Sequence, residues 1–243
     1  MKYKTIFFDL DDTLIDNNES LKYAFKCLVD SIGIGFSDEL FIKWKVFDTK
    51  WWNSLETGEL VIPADCVSHE EQVTWLRASR FIKFFNDRDI SFEEAVSMNN
   101  IYTSNLGENI VEIAGAKQLL ADLSKDYDIL IATNGPRKAA VIKMDKAGFS
   151  PYISCLVSSE EIGGIPKPTE EFFKYLLSKC KNTNLDSMLI IGDSLSTDVL
   201  LGINNGFDSC WFNPSNKEAI NNICPTYIVS SYNELISILK KSV

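Results

Sequence analysis

The apolar runs of this chain are short, and from about Glu112 onward they alternate with helical segments. No other feature narrows the fold so far. Tyr3–Phe8, Tyr127–Ala132, Ile153–Val157, Met188–Ile191, Ser209–Phe212 and Tyr227–Val229 have strand length, and the first reads as a strand covered on both faces. Between them the periodicity predicts helices at Lys117–Ser124, at Arg137–Ala147 stopped by Gly148, at Thr169–Cys180, and at Thr197–Asn204 stopped by Gly206. A last helix is opened by Ser231 and Glu234. Strands alternating with helices predict an α/β protein with a parallel sheet and right-handed crossovers.

The first strand is separated from the rest. From about Asn17 to Leu106 the pattern is helical and predicts four helices. Asn18 is the expected cap of a helix over 20–32 ended by Gly33, and Ser37 opens a longer one toward Thr57-Gly58. Ser68 with Glu71 and Ser91 with Glu94 fit capping boxes, for helices at about 69–85 and 92–104. The expected division is a core of residues 1–16 and 107–243, interrupted by a helical insertion of residues 17–106. A chain of 243 residues is long enough for both.

Composition excludes several classes of function. The longest apolar stretches, such as Ile129–Ala132, are far too short to span a bilayer. The N-terminus runs almost directly into a strand, without the pattern of a signal peptide, and a cytoplasmic setting is expected. Six cysteines lie far apart with no C-x-x-C pair, which suits reduced thiols better than a disulfide frame or a zinc site. A net charge of −10 argues against a nucleic-acid polymer as partner, since that needs a basic stripe. It does not argue against a small phosphorylated metabolite, because one cation and one lysine reverse the field inside a cleft.

In an open parallel sheet, ligands bind beyond the carboxyl ends of the strands, so the residues just past each run carry the chemistry. They are Asp9-Leu10-Asp11-Asp12-Thr13, Thr133-Asn134-Gly135, and Gly192-Asp193-Ser194 with Asp198; Lys167 opens a helix within Ile165-Pro166-Lys167-Pro168. Each motif alone is weak, and together they are specific. Asp9, Asp193 and Asp198 would crowd carboxylates into one place, which is costly unless a cation neutralises them. Hard oxygen ligands, few in number, suit Mg²⁺. A carboxylate beside that ion can attack phosphorus, which makes Asp9 the candidate nucleophile. Asp11, two residues on, is the candidate general acid and base. Thr133, Lys167 and nearby amides would hold the phosphoryl oxygens.

These four stretches resemble the signature motifs of the haloacid dehalogenase superfamily, over essentially the whole chain. The resemblance implies a Rossmann-like, doubly wound core with an inserted α-helical cap that closes to set specificity. It implies Mg²⁺ held by Asp9, by the main-chain carbonyl of Asp11 and by Asp193, with Asp198 in support. Asp at position 11 matches the phosphatase and phosphomutase branches; members that dehalogenate carry another residue there and need no metal. Gly202-Ile203-Asn204-Asn205-Gly206, Cys210-Trp211-Phe212-Asn213, Pro225-Thr226-Tyr227 and the Trp51-Trp52-Asn53 stretch with Gly58 are similar to the bacterial pyrimidine 5′-nucleotidases. One departure is Ala114-Gly115, where many relatives have Pro-Gly.

The expected activity is therefore Mg²⁺-dependent hydrolysis of a phosphomonoester, with a nucleoside 5′-monophosphate, and a pyrimidine one, as preferred substrate. A sugar-phosphate or phosphoglycolate-type phosphatase, a mutase, and a non-catalytic binder of a phosphorylated metabolite are the alternatives. Asn134 reads either as a phosphate contact or as a turn stabiliser. Asp12 reads as a cap of the following turn. Asp198, besides its metal reading, suits the first turn of a helix by charge alone. The stripe Phe41, Trp44, Phe47, Trp51, Leu55 marks a buried helix face, with Trp51 and Trp52 the candidates to stack on a substrate ring. His69 has no part in this chemistry.

Overall fold

The strand Thr5–Phe8 (β1) is buried at every position, and a fully buried strand of the sequence Thr-Ile-Phe-Phe belongs at the centre of a sheet. A computed structural model describes residues 2–219 and 222–241 of the chain. After β1 come a two-residue strand Ile15–Asp16 (β2) and four helices: Asn17–Ser31 (α1), Asp38–Glu56 (α2), His69–Phe84 (α3) and Phe92–Asn105 (α4). A second two-residue strand, Val111–Glu112 (β3), is followed by Ala116–Leu123 (α5), Asp128–Thr133 (β4), Arg137–Ala147 (α6) and Cys155–Ser158 (β5). Then come Glu170–Ser178 (α7), Met188–Gly192 (β6), a π-helical turn at Leu195–Val199 running into Leu200–Asn205 (α8), Asp208–Phe212 (β7), Tyr227–Val229 (β8) and Tyr232–Lys241 (α9).

The main sheet has the order β5-β4-β1-β6-β7-β8, and each neighbouring pair is parallel. Alternate residues of its strands serve two cores. Ile6, Phe8, Ile129, Ile131, Leu189 and Ile191 pack on one face with side chains of α5, α6 and α9. Phe7, Leu130, Ala132, Val157 and Ile190 pack on the other with Phe172, Phe173 and Leu176 of α7 and Leu201 of α8. Helices on both faces make this the doubly wound α/β core that the alternating pattern predicts. The strand order reverses at β1, with β4 on one side and β6 on the other, so the switch point lies at its carboxyl end.

Contacts among Cα atoms divide the chain into two units. One runs through Asn18 and resumes at Ile110; the other is Glu19–Asn109. The small antiparallel pair Ile15↔Glu112, Asp16↔Val111 forms where the chain leaves and re-enters the first unit. Two residues show no periodicity, so the sequence does not announce it. The start of α1 also differs from expectation. Asn18 is not its cap: the helix begins at Asn17, whose amide donates to Asp12 Oδ1 at 3.0 Å, and the Asn18 amide donates to Asp16 Oδ1 at 2.9 Å. Two carboxylates do what a single asparagine was expected to do, and they suit the helix dipole better.

In the second unit the cap at Ser37 and the boxes Ser68/Glu71 and Ser91/Glu94 all form. Its core is aromatic. Trp44 lies flat on Phe81 (centroids 4.9 Å, 6° between planes) and on Phe25 (5.4 Å, 15°). Trp51 belongs to this core, its indole N–H donating to Leu76 O at 3.1 Å. Trp52 is half-buried, with the Arg80 guanidinium 5.6 Å from its ring. His69 is exposed at the start of α3. Among the described residues no helix is long and apolar enough to cross a membrane.

Candidate active site

Asp9 follows β1 directly, at the point where the strand order reverses. Its amide donates to Ile191 O at 2.9 Å, which extends the β1–β6 ladder one residue and fixes where the side chain leaves the sheet. That side chain is buried, and so is Lys167. Lys167 Nζ donates to Asp9 Oδ1 at 2.7 Å, to Asp198 Oδ1 at 2.5 Å and to Ala132 O at 2.6 Å. Three acceptors for three N–H bonds satisfy the ammonium completely. Burial opposes its charge, and the carboxylates of Asp198 and Asp9 more than offset this, so its pKa lies above the ordinary value.

Asp198 sits in the π-helical turn at the end of β6 and is almost wholly buried. Such turns are rare and concentrate at functional sites. Here the turn swings the carboxylate back over the strand end, where the Ser194 amide donates to Oδ2 at 3.1 Å. The last residue of β6 must be glycine for this to happen: a Cβ on Gly192 would lie 2.1 Å from Asp198 Oδ2. The expected helix over 197–204 is split for the same reason, with regular α-helix starting only at Leu200. Asp193, one residue past Gly192, has its main-chain carbonyl held by Trp211 Nε1 at 2.8 Å, and Lys217 Nζ lies 3.8 Å from Oδ2.

Asp9, Asp193 and Asp198 each offer an oxygen within 4.8 Å of the others. The electrostatics register the crowding. Burial, followed by the charges of Asp198 and Asp12, pushes the Asp193 carboxyl up to about 7. Burial drives Asp9 well above the carboxylate range; Lys167 pulls it down, while Asp198 and Asp193 push it further up. Three hard oxygen donors with one ammonium among them leave a surplus of negative charge, and that is a donor set for a hard divalent cation. The residues fit Mg²⁺.

Beside them, at the end of β4, is the turn Thr133-Asn134-Gly135. Thr133 is buried, and its hydroxyl accepts the Gly135 amide at 3.0 Å. Asn134 is committed to Lys167: the Lys167 amide donates to Asn134 Oδ1 at 2.8 Å, and Asn134 Nδ2 donates to Lys167 O at 3.3 Å. The amide thereby fixes the backbone of the lysine. Asp11 points elsewhere. Lys143 Nζ donates to its Oδ1 at 2.5 Å, and a Cβ placed on Gly135 would lie 3.4 Å from its Oδ2. The carboxylate of Asp11 thus faces the Thr133–Gly135 turn rather than the acidic trio, and its expected metal contact concerns its main-chain carbonyl alone.

The sequence matches the haloacid dehalogenase-like hydrolase family over residues 3–206, which is most of its length. The chain is a haloacid dehalogenase-like hydrolase. This hydrolase is 28% identical over 239 residues to the HAD-hydrolase YfnB of Bacillus subtilis (strain 168), with 98% of this chain and 96% of that protein covered. The crystal structure of YfnB bound to magnesium matches the fold with a TM-score of 0.85 at 27% identity, covering 98% of this chain and 99% of that one. Similarity extends to two pyrimidine 5′-nucleotidases. YjjG of Escherichia coli (strain K12) is 28% identical over 243 residues, covering 99% of this chain and 100% of that protein. PynA of Streptococcus pneumoniae (strain ATCC BAA-255 / R6) is 29% identical over 244 residues, covering 100% and 98%.

Some residues of the hydrolase site escape a reading of the sequence. Ser158 Oγ donates to Gly135 O at 2.8 Å and Ser159 Oγ to Asn134 O at 3.2 Å, so the end of β5 braces the turn after β4. The rule that picked out the other strand ends would have found this pair too. Lys143 escapes because it is one of three lysines in α6 and no motif sets it apart. Its signal is the stripe Ala139, Ala140, Lys143, Met144, Ala147, which places a charge on the buried face of α6.

Proposed function

We propose that this hydrolase cleaves phosphomonoesters through a phosphorylated Asp9, with Mg²⁺, and that its substrate is a pyrimidine nucleoside 5′-monophosphate. The observation that carries the chemistry is the placement of Asp9 at the switch point, among the oxygens of Asp193 and Asp198 and against Lys167. Its relatedness over nearly full length to two pyrimidine 5′-nucleotidases supports the substrate class.

Asp9 attacks phosphorus, the bond to the ester oxygen breaks, and Asp11 gives that oxygen its proton. Asp11 then takes a proton from water as the water attacks the aspartyl phosphate, which releases phosphate and restores the Asp9 carboxylate. Lys167 holds the nucleophile in place and puts positive charge beside the phosphoryl oxygens, while the Thr133 hydroxyl, which accepts from Gly135, keeps its own proton to donate to them. Mg²⁺, held by Asp9, Asp193 and the Asp11 carbonyl with Asp198 in support, would offset the repulsion between an anionic nucleophile and an anionic ester.

The test is phosphate release from UMP, dUMP, dTMP, CMP, AMP, GMP, phosphoglycolate and several sugar phosphates, with Mg²⁺ and with EDTA. Metal-dependent turnover that favours the pyrimidine nucleotides is expected. Preference for another ester would keep the mechanism and replace the substrate. Absence of turnover on every ester would overturn the enzyme reading in favour of a binder of phosphorylated metabolites.

A further inference from the structure

Lys143 is a lysine in the wrong place for a stability element. It lies on the buried stripe of α6, is 3% exposed, and is 132 residues from the acid it touches. Burying an ammonium is costly, and an ion pair made in return contributes little net stability. Its two hydrogen-bond partners both lie in the stretch that carries the first motif. Nζ donates to Asp11 Oδ1 at 2.5 Å and to Asn17 Oδ1 at 3.0 Å. Asn17 is itself tied down, its amide donating to Asp12 Oδ1 at 3.0 Å. The turn in between is braced at Thr13, whose carbonyl accepts from Tyr232 Oη at 2.6 Å. Lys143 therefore grips the side chain of Asp11 from a frame that cannot easily follow it.

We propose that Lys143 is the positioning residue of the general acid–base: by holding Oδ1 of Asp11 it presents Oδ2 to the Thr133–Gly135 turn. This rests on the reading of Asp11 as the proton donor. A carboxylate turns about a soft, two-fold torsion, so without a fixed partner either oxygen can face the ester and neither stays there. With Oδ1 held, Oδ2 is the oxygen that faces the close approach at Gly135, where a Cβ would lie 3.4 Å from it and 3.2 Å from Thr133 Oγ1. The grip serves both halves of the reaction. Oδ1 accepts from the ammonium whether or not Oδ2 carries a proton. In the first half the Oδ2 proton goes to the ester oxygen as its bond to phosphorus breaks and that oxygen keeps the electron pair. In the second half Oδ2 takes a proton from water as the new bond to phosphorus forms and Asp9 leaves.

The experiment compares two esters of the same phosphate. A nucleotide has an alkyl leaving group that needs a proton, whereas p-nitrophenyl phosphate has an aryl one that departs without it. Lys143→Met should lower kcat on UMP by about 10²-fold, change KM less than about threefold, and lower kcat on p-nitrophenyl phosphate less than about fivefold. Lys143→Arg should recover most of the loss. Equal losses on both esters, or a raised KM with kcat intact, would overturn the proposal. Asp11→Asn is measured alongside. If it is selective for UMP and Lys143→Met is not, the proposal fails while the role of Asp11 stands; if Asp11→Asn is itself unselective, that role fails and the proposal with it. Should Lys143→Met not fold, Asn17→Ala removes the second acceptor and should lower the UMP to p-nitrophenyl phosphate ratio severalfold. An unchanged ratio there overturns the proposal equally.

Discussion

Among the described residues three cations are buried, Lys143, Lys167 and Arg80, and the last two, at the carboxyl ends of the sheet and in the helical unit, are accommodated differently. Lys167 stands among Asp9, Asp193 and Asp198, so three carboxylates share one buried ammonium, with the exposed Lys217 3.8 Å from Asp193 as the other cation nearby. Arg80 pairs with one carboxylate among the described residues, Asp48, at 2.7 Å. Its remaining surface is met by Asn99 Oδ1 at 3.3 Å and by the rings of Phe81, Tyr102, Trp44 and Trp52 at 4.9, 5.2, 5.4 and 5.6 Å. The Arg80 cluster is closed in charge: Asp48 faces the guanidinium, each of its nitrogens donates one hydrogen bond, with Arg77 O taking that of Nε at 3.1 Å, and the rings cover the rest. The Lys167 cluster is open, with more carboxylate than ammonium, and that is where the proposed Mg²⁺ would bind.

The largest effect should come from removing the nucleophile of the open cluster. Asp9→Asn is expected to lower kcat by more than about 10⁴-fold without lowering the thermal midpoint, because it takes away one of the surplus charges. Steady-state kinetics and calorimetry on the same preparation read both. Retained activity would refute the nucleophile, and a fall in midpoint would show that Asp9 is needed for the fold.

The closed cluster should respond in stability instead. Arg80→Met leaves Asp48 without its partner and is expected to cost about 3 kcal/mol, read by denaturant unfolding, while kcat/KM of the folded enzyme stays within about twofold. Adding Asp48→Leu removes the stranded charge and should recover most of that loss, as it does for pairs that carry no function. A double variant as unstable as the single one would break the comparison.

These two clusters were not equally legible. The ends of parallel strands are marked by a change from apolar to polar residues, which is why Asp9, Thr133 and Asp193 stand out in the sequence. Lys167 stands out by its place before a helix, but its contacts with Asp9 and Asp198 span 158 and 31 residues and no local pattern encodes them. Arg80 was silent for a related reason. Its partner Asp48 lies on another helix, and long charged side chains on a helix are as a rule exposed. The stripe containing Trp44 and Trp51 correctly announced a buried face, yet it could not say that an arginine is packed against it. The π-helical turn was hidden because it adds one residue to a helical pattern that otherwise continues unbroken.

That turn offers the next test. Gly192→Ala places a Cβ where Asp198 Oδ2 now lies, 2.1 Å away, and the carboxylate must move off Lys167 or off the Ser194 amide. A displacement of this size beside the nucleophile is expected to cost about 10²-fold in kcat. If activity is unchanged, Asp198 serves the turn rather than the charged cluster, and the surplus at the site is smaller by one.

The smallest effect concerns the surplus itself. In the metal-free protein burial and the neighbouring carboxylates raise Asp193 to about 7, whereas in the unfolded chain it titrates near the ordinary aspartate value. Between those two values the folded state holds a proton that the unfolded state has lost, so this residue's contribution to stability is full at the acid end and fades as pH rises through about 7. Unfolding in EDTA at pH 5 and pH 8, for wild type and Asp193→Asn, isolates that contribution from every other titrating group. The wild type should lose on the order of 1–2 kcal/mol more than the variant across the interval. Mg²⁺ at pH 8 should restore stability to the wild type and do so less for the variant, because a ligand that binds only the folded state stabilises it in proportion to its affinity. Equal pH dependence in the two proteins would mean that Asp193 carries no part of the surplus, and an equal response to Mg²⁺ would remove it from the metal site. Arg80→Met, tested in the same way, should keep the wild type's response to Mg²⁺, since it leaves Asp9, Asp193 and Asp198 in place.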